Sequence, residues 1–371
     1  MTTSGFGGAP RNRRNTPTPT AAATATQPAA ATATATVVAS PTATIVGSPT
    51  ATAVPASQKL KGVAINLKGT SVDTQQLAQA RTAGAQVFRN TLSWAQLEPS
   101  QKGTYSTGYV AFIDQTVSQA EQNGLKVIFG LGGSPCWASA DPNKNCGSSS
   151  YKYWYPPTNA NDYGDAMRFL VQRYGNRVVA WEVWNEPNLS QFWGGATPDA
   201  AKYVQLVKAT RAKNPTAFIL AGSLSSTVTT YLTQMYDAGL TAADYNALAL
   251  HPYVWMDPAP GGSPDDCGYL PMSFKCGVPN MRSIMLNRGD PRGEIWFTEF
   301  GWSAELVDEA TQATYLQRAY EITAGWSYVK AAVWYVLRDE VATDKECCFG
   351  LYRLDGTSKP VAVAFQGVTL P

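Results

Sequence analysis

From residue 60 onward the chain alternates short apolar runs with longer stretches of helical period. Eight runs read as strands: 63–66, 86–90, 126–131, 178–185, 218–222, 247–251, 294–299 and 331–336. Each is nearly continuous in apolar residues, the pattern of a strand buried on both faces of a parallel sheet. Between them lie helical patterns at 109–122, 163–174, 200–213, 231–238, 281–287 and 309–322. The first places Val110, Phe112, Ile113 and Val117 along one side. Regular alternation of this kind implies βαβ units. Eight units predict an α/β fold, a closed (β/α)8 TIM barrel. The competing architecture, a doubly wound open sheet, normally carries a Gly-rich turn after its first strand. Here that strand runs into Asn66-Leu67-Lys68-Gly69, without G-x-G-x-x-G.

In such barrels the chemistry sits where strands end. Two strand ends carry a glutamate after an aromatic run: Trp181-Glu182-Val183-Trp184-Asn185-Glu186-Pro187-Asn188, and Ile295-Trp296-Phe297-Thr298-Glu299-Phe300-Gly301-Trp302. Arg89 and Asn90, Trp137, His251, Tyr253 and Trp334 fall at or just past the same rim. Two carboxylates facing each other across an aromatic pocket suit cleavage of a glycosidic bond. One protonates the leaving oxygen and the other attacks the anomeric carbon. Glu186 lies between Trp184 and Pro187, an apolar setting suited to a proton-donating carboxylic acid. Glu299 must stay ionised, and Arg89 and Tyr253 are the available cation and hydrogen-bond donor. By strand parity Glu182 shares a face with Trp184 and Glu186, so it points inward below the site and needs a partner. His251, the only histidine, reads equally as a hydrogen-bonded structural group or a sugar contact. A serine triad through it lacks support, because no G-x-S-x-G occurs. Sugar rings stack their C–H faces on aromatic rings. Trp94, Trp137, Trp154, Trp193, Trp255, Trp302 and Trp334 fall in or beside the rim loops, and about half of such residues belong to the core. Trp137, Trp193 and Trp334 are the expected sugar contacts.

Composition sets the frame around this site. Residues 1–57 are almost entirely Thr, Ala, Pro, Ser, Val and Gly, with no Asp, Glu or Lys. Such a segment cannot build a core and reads as a disordered Thr/Ala/Pro-rich linker, extended and open to O-glycosylation. Residues 58–371 form the catalytic domain. They carry 26 basic and 27 acidic residues, so the net +2 of the chain comes from the tail. A near-neutral domain without a basic stripe argues against nucleic acid. No apolar run approaches the ~20 residues of a membrane span. Six cysteines form three close pairs, 136/146, 267/276 and 347/348, all in Gly/Pro/Asp-rich connections. With one histidine and no C-x-x-C, they read as local disulfides of an oxidising compartment rather than a zinc site. For the adjacent pair, a vicinal bond competes with free thiols or links to the other four. Asp265 and Asp266 read as a solvated loop rather than a calcium site.

The Trp-Asn-Glu-Pro-Asn run at 184–188, the strand bearing Glu299, His-Pro-Tyr at 251–253 and Trp334 resemble clan A retaining glycoside hydrolases. Within that clan the chain is similar to the cellulase-like and β-xylosidase-like families. The likeness spans 60–368 and includes the closing stretch from Phe349 to Gly356 and Lys359-Pro360. It implies that Glu186 is the acid/base and Glu299 the nucleophile. Asn185 would bond the sugar 2-hydroxyl, Arg89 and Tyr253 would hold the nucleophile, and Trp334 would be the sugar platform. The expectation is a monomeric retaining enzyme attacking β-linked glycan internally, with no cofactor and no metal. The alternatives are an exo-acting β-glycosidase of β-xylosidase or β-glucosidase type, or an inactive glycan-binding barrel. An extracellular or cell-surface location is expected, with an export signal that this sequence does not contain.

Overall fold

The structure is a computed structural model, and it describes residues 59–67, 73–146, 153–254, 262–341 and 347–371. The expected tail at 1–57 and Trp255 lie outside the described residues. Eight parallel strands close into a barrel in sequence order. They are β1 (Leu60–Ala64), β2 (Val87–Ser93), β3 (Lys126–Gly132), β4 (Ala180–Val183), β5 (Ile219–Ser225), β6 (Ala247–His251), β7 (Ile295–Phe300) and β8 (Val329–Trp334). Pairing of β8 with β1, from Leu60 opposite Ala331 to Val63 opposite Trp334, seals the ring.

Around it run α1 (Thr74–Thr82), α2 (Trp94–Leu97), α3 (Thr107–Gln122), α4 (Ala160–Tyr174), α5 (Ala200–Lys213), α6 (Thr229–Asp237), α7 (Gly277–Asn287), α8 (Glu309–Ala324) and α9 (Pro360–Gly367). Their starts are chemically marked. Asp73, Ser106, Asn159, Asp199 and Asp308 each accept a first-turn backbone N–H, satisfying donors that have no intrahelical partner.

Strand alternation divides the core into two layers. Leu60, Ala64, Val87, Ile128, Ala180, Leu220, Ala247, Ala249, Trp296, Ala331 and Val333 fill the barrel interior. The opposite faces, including Val63, Phe88, Val127, Phe129, Leu131, Val183, Leu248 and Phe297, pack outward with helix residues such as Ile113, Met167, Tyr203 and Leu316. Both faces are buried, which is why the strands read as unbroken apolar runs. Gly164 lets α4 approach α5, since a Cβ there would sit 2.8 Å from the Ala209 carbonyl oxygen.

Disulfides join Cys136 to Cys146, Cys267 to Cys276 and Cys347 to Cys348. They lie in the connections after β3, β6 and β8, on the face where the strands end. Asp265 pairs with Lys275 and Arg318, so it serves an ion pair. Among the described residues no helix is long and apolar enough to cross a membrane.

Candidate active site

The turn after β4 begins earlier than the apolar run suggests. Trp184 takes φ 67°, leaves the strand, and sends its ring outward against Tyr163 and Trp193. Its indole Nε1 donates to the Phe192 carbonyl (2.8 Å). Parity therefore fails after Val183, and Trp184 does not share the inner face with Glu182. Glu186 also sits at positive φ, 40°, as does Ser223 of β5 at 42°. These are costly conformations for residues with a Cβ and persist only where neighbours hold them. Here the Glu186 N–H donates to the Ser223 carbonyl (3.1 Å). Asn188 locks the turn to β5, with Nδ2 donating to the Ser225 carbonyl and Oδ1 accepting from the Ser225 N–H, each at 2.9 Å. The Asn-Glu-Pro-Asn run is thus a local device that lifts Glu186 to the rim.

Below it lies a buried charge network centred on Arg89 of β2. Arg89 Nε and Nη2 donate to Glu182 Oε2 at 2.9 and 2.6 Å. Its Nη1 bonds Glu299 Oε1, and Nη2 reaches Asn185 Oδ1 at 2.9 Å. Glu182 is completely buried, so the inward carboxylate expected from parity has its partner. Because Asn185 Oδ1 accepts from Arg89, its Nδ2 donors are left for the cavity that Asn185 lines. On the other side of Glu299, the Tyr253 hydroxyl donates to Oε2 at 3.0 Å. Burial alone would raise the Glu299 carboxyl; His251, Arg89 and Tyr253 outweigh it and hold the group below the ordinary glutamate value. Burial beside Glu299 drives the Tyr253 hydroxyl far upward, keeping it a donor.

His251, at the end of β6, is fully buried behind both carboxylates. Nδ1 lies 2.8 Å from Glu186 Oε1, and Nε2 lies 3.1 Å from Thr298 Oγ1. Burial pulls the imidazole down, but Glu299 and Glu186 more than offset it and raise the ring above its ordinary value. One oxygen each of Glu186 and Glu299 and a His251 nitrogen lie within 4.8 Å of one another. Such a trio could geometrically ligate a cation, yet Arg89 already places a positive charge on Glu299.

These groups open into a cavity of about 1460 Å³, lined by Glu186, Glu299, Asn185 and Tyr253. Tyr153, Trp154, Phe192, Trp302, Tyr335 and Phe349 form its aromatic walls. Arg89 reaches its floor, so five expected site residues meet here: Arg89, Asn185, Glu186, Tyr253 and Glu299. Four others do not face it. His251 is fully buried behind Glu186 and does not line the cavity. Trp334 is fully buried, packs on Phe300 and Trp302, and donates Nε1 to the Phe349 carbonyl (2.9 Å). Parity is the reason: Val333 faces the barrel interior, Trp334 faces the helices, and Tyr335 turns back inward. The Tyr335 hydroxyl accepts from Asn66 Nδ2 at 3.2 Å, beside the cavity. Trp193 is buried against Trp184, so it too is a packing residue. Trp137 is half-buried, edge-on to Trp94, and donates Nε1 to the Glu98 carbonyl (2.8 Å). Tyr153, Phe192, Tyr335 and Phe349 were not foreseen as wall residues. For Tyr335 the signal existed in the Val-Trp-Tyr alternation at 333–335. For Tyr153 and Phe192 it did not, because loop side chains follow no period. Gly132 makes room for this wall, since a Cβ there would meet the Trp154 ring at 2.6 Å.

A family model described as cellulase, glycosyl hydrolase family 5, matches residues 48–329. The chain belongs to that family. A probable glucan 1,3-beta-glucosidase A from Aspergillus fumigatus is 29% identical over 164 residues, covering 42% of this chain and 38% of that protein. A glucan 1,3-beta-glucosidase from Blumeria graminis is 26% identical over 137 residues, covering 36% and 31%. The chain thus spans well under half the length of these curated relatives. Among solved structures, a family 39 glycoside hydrolase from Bacteroides cellulosilyticus WH2 superposes with TM-score 0.67 at 24% identity, covering 86% of this chain and 66% of that one. A monomeric beta-xylosidase from Caulobacter crescentus CB15 gives 0.62 at 21%, covering 86% and 70%. At these identities the likeness is one of fold.

Proposed function

From its place in glycosyl hydrolase family 5, we propose that the chain is a retaining glycoside hydrolase that cleaves β-linked glycan internally by double displacement. One observation carries the reading. One oxygen of Glu186 and one of Glu299 lie within 4.8 Å of each other, which fits the ~5 Å spacing of retaining enzymes better than the wider gap that an inverting enzyme leaves for water.

Their surroundings divide the labour. Glu299 is held ionised by Arg89 and Tyr253, and its free electron pair attacks the anomeric carbon. Glu186 gives its proton to the departing glycosidic oxygen. A covalent glycosyl-enzyme forms on Glu299; Glu186, now a carboxylate, then takes a proton from water as that water attacks the same carbon, breaking the ester bond and releasing Glu299 as a carboxylate. While Glu299 is esterified it no longer balances Arg89. Glu182, fully buried and doubly bonded to the guanidinium, then remains as the counter-ion. His251 holds Glu186 in place through the proton exchange. Asn185 offers its amide donors to the sugar hydroxyl nearest the reacting carbon.

The cavity supports a chain rather than a single sugar. Its volume of about 1460 Å³ exceeds the ~300–1,000 Å³ typical of small-ligand sites. Tyr153 stands 45% exposed on its outer wall, where a further sugar ring can stack. A second reading, exo action from a chain end, is favoured by the relatives named glucan 1,3-beta-glucosidase. Sizing the first products from a β-1,3-glucan separates the two. Three local disulfides support an extracellular setting, and we take the working enzyme to be a monomer.

The reading is tested by trapping. A fluoro-substituted glycoside that slows the second step should add one sugar mass to the peptide bearing Glu299. A label on Glu186, or no label under conditions of turnover, counts against the assignment.

A further inference from the structure

The vicinal disulfide touches the catalytic machinery through a short chain of contacts. Cys347 and Cys348 are half-buried and immediately precede Phe349, which lines the cavity. The backbone at the pair is pinned from three sides. The Cys348 carbonyl accepts from the Ala304 N–H at 2.9 Å, from Gln312 Nε2 at 3.0 Å and from Lys359 Nζ at 3.0 Å. Lys359 is itself 2% exposed and ion-paired with Asp339. The Phe349 ring then stands edge-on to Tyr253 and Tyr335, with centroids 5.8 and 5.7 Å away. Tyr253 carries the hydroxyl that donates to Glu299.

A bond between adjacent cysteines closes a very small ring, so it adds little chain entropy to global stability. That small return is out of proportion to the anchoring around it. The ring does restrict the one peptide unit it encloses, between Cys347 and Cys348, immediately before Phe349. We propose that the Cys347–Cys348 disulfide is a positioning element of the cleft: it sets Phe349 against Tyr253 and Tyr335, and thereby the glycan-facing wall and the alignment of Tyr253 on Glu299. This rests on the glycosidase reading of the cleft.

The test uses the full chain in three forms: Cys347→Ser with Cys348→Ser, Phe349→Ala, and all three changes together. KM and kcat are measured on a soluble β-glucan that the unaltered chain cleaves. The serine pair and Phe349→Ala should each raise KM about fivefold, the scale of one lost aromatic contact. The triple variant should be no worse than Phe349→Ala alone, because both changes remove one arrangement. Unchanged KM in the serine pair overturns the proposal, and so do additive effects in the triple variant. A serine pair that fails to fold, or that melts much lower with KM unchanged, makes the disulfide a stability element and equally overturns it. Hydrogen exchange gives a readout independent of turnover. The peptides containing Phe349 and Tyr253 should exchange faster in the serine pair, with the rest of the barrel unchanged. If Glu186→Ala and Glu299→Ala retain normal turnover, the reaction assignment fails, while the exchange result still decides the positioning claim.

Discussion

Removing the Tyr253 hydroxyl isolates one of the supports under Glu299. In Tyr253→Phe the ring stays in its packing against Phe349 and Tyr335, and only the 3.0 Å hydrogen bond to Glu299 Oε2 is lost. A hydrogen bond to a charged acceptor contributes about 1.5–3 kcal/mol. Its loss removes a contribution of that size from the ionised form and should raise the Glu299 carboxyl. The sign follows from which form works. In the proposed double displacement Glu299 acts ionised; its folded-state value is depressed, so activity should be present above that value and lost as pH falls through it. Weakening the support moves the loss to higher pH. Arg89 and His251 remain, so the shift is partial. The assay is kcat/KM across pH on an aryl β-glycoside, with the acidic limb compared between the two proteins. An acidic limb that stays in place, or moves to lower pH, refutes the claim that Tyr253 stabilises the ionised nucleophile.

Glu299→Ala and Glu186→Ala should each nearly abolish turnover, and azide should partly restore both. The glycosyl azides should have opposite anomeric configuration, as resolved by NMR. Arg89→Ala strips Glu182 of its buried partner, so denaturant titration should show a loss of about 3–5 kcal/mol in stability together with lost activity. Trp334→Ala and Tyr335→Ala should part company. The first, deep in the outer layer, costs about 3–5 kcal/mol of stability. The second, on the cavity wall, raises KM with little change in melting temperature.

The barrel, its strand order and the two glutamates that meet at its rim were legible because the physics behind them is local. Apolar runs of strand length alternating with 3.6-period stretches leave few architectures open, and a glutamate past an aromatic run marks a strand end. Arg89 and Tyr253 could be matched to Glu299 because the barrel brings the ends of β2, β6 and β7 to one rim. Other features escaped for equally physical reasons. The helix at Thr74–Thr82 buries only Leu77 and Ala80, so its period is faint. Strand β4 stops at Val183 because Trp184 adopts a left-handed turn, which no apolar run announces. Family likeness points to Trp334 as the platform, but alternation from Val333 assigns the inward place to Tyr335. Trp137 and Trp193 show the same limit. An aromatic near the rim can face either layer, and only the loop path decides which.

The central claim is a double displacement between Glu299 and Glu186, and the configuration of the first-formed product tests it most directly. Proton NMR of a β-glycoside during early turnover, before mutarotation, should show the β anomer appearing first. If the α anomer appears first, the displacement is single, and Glu299 is not the nucleophile.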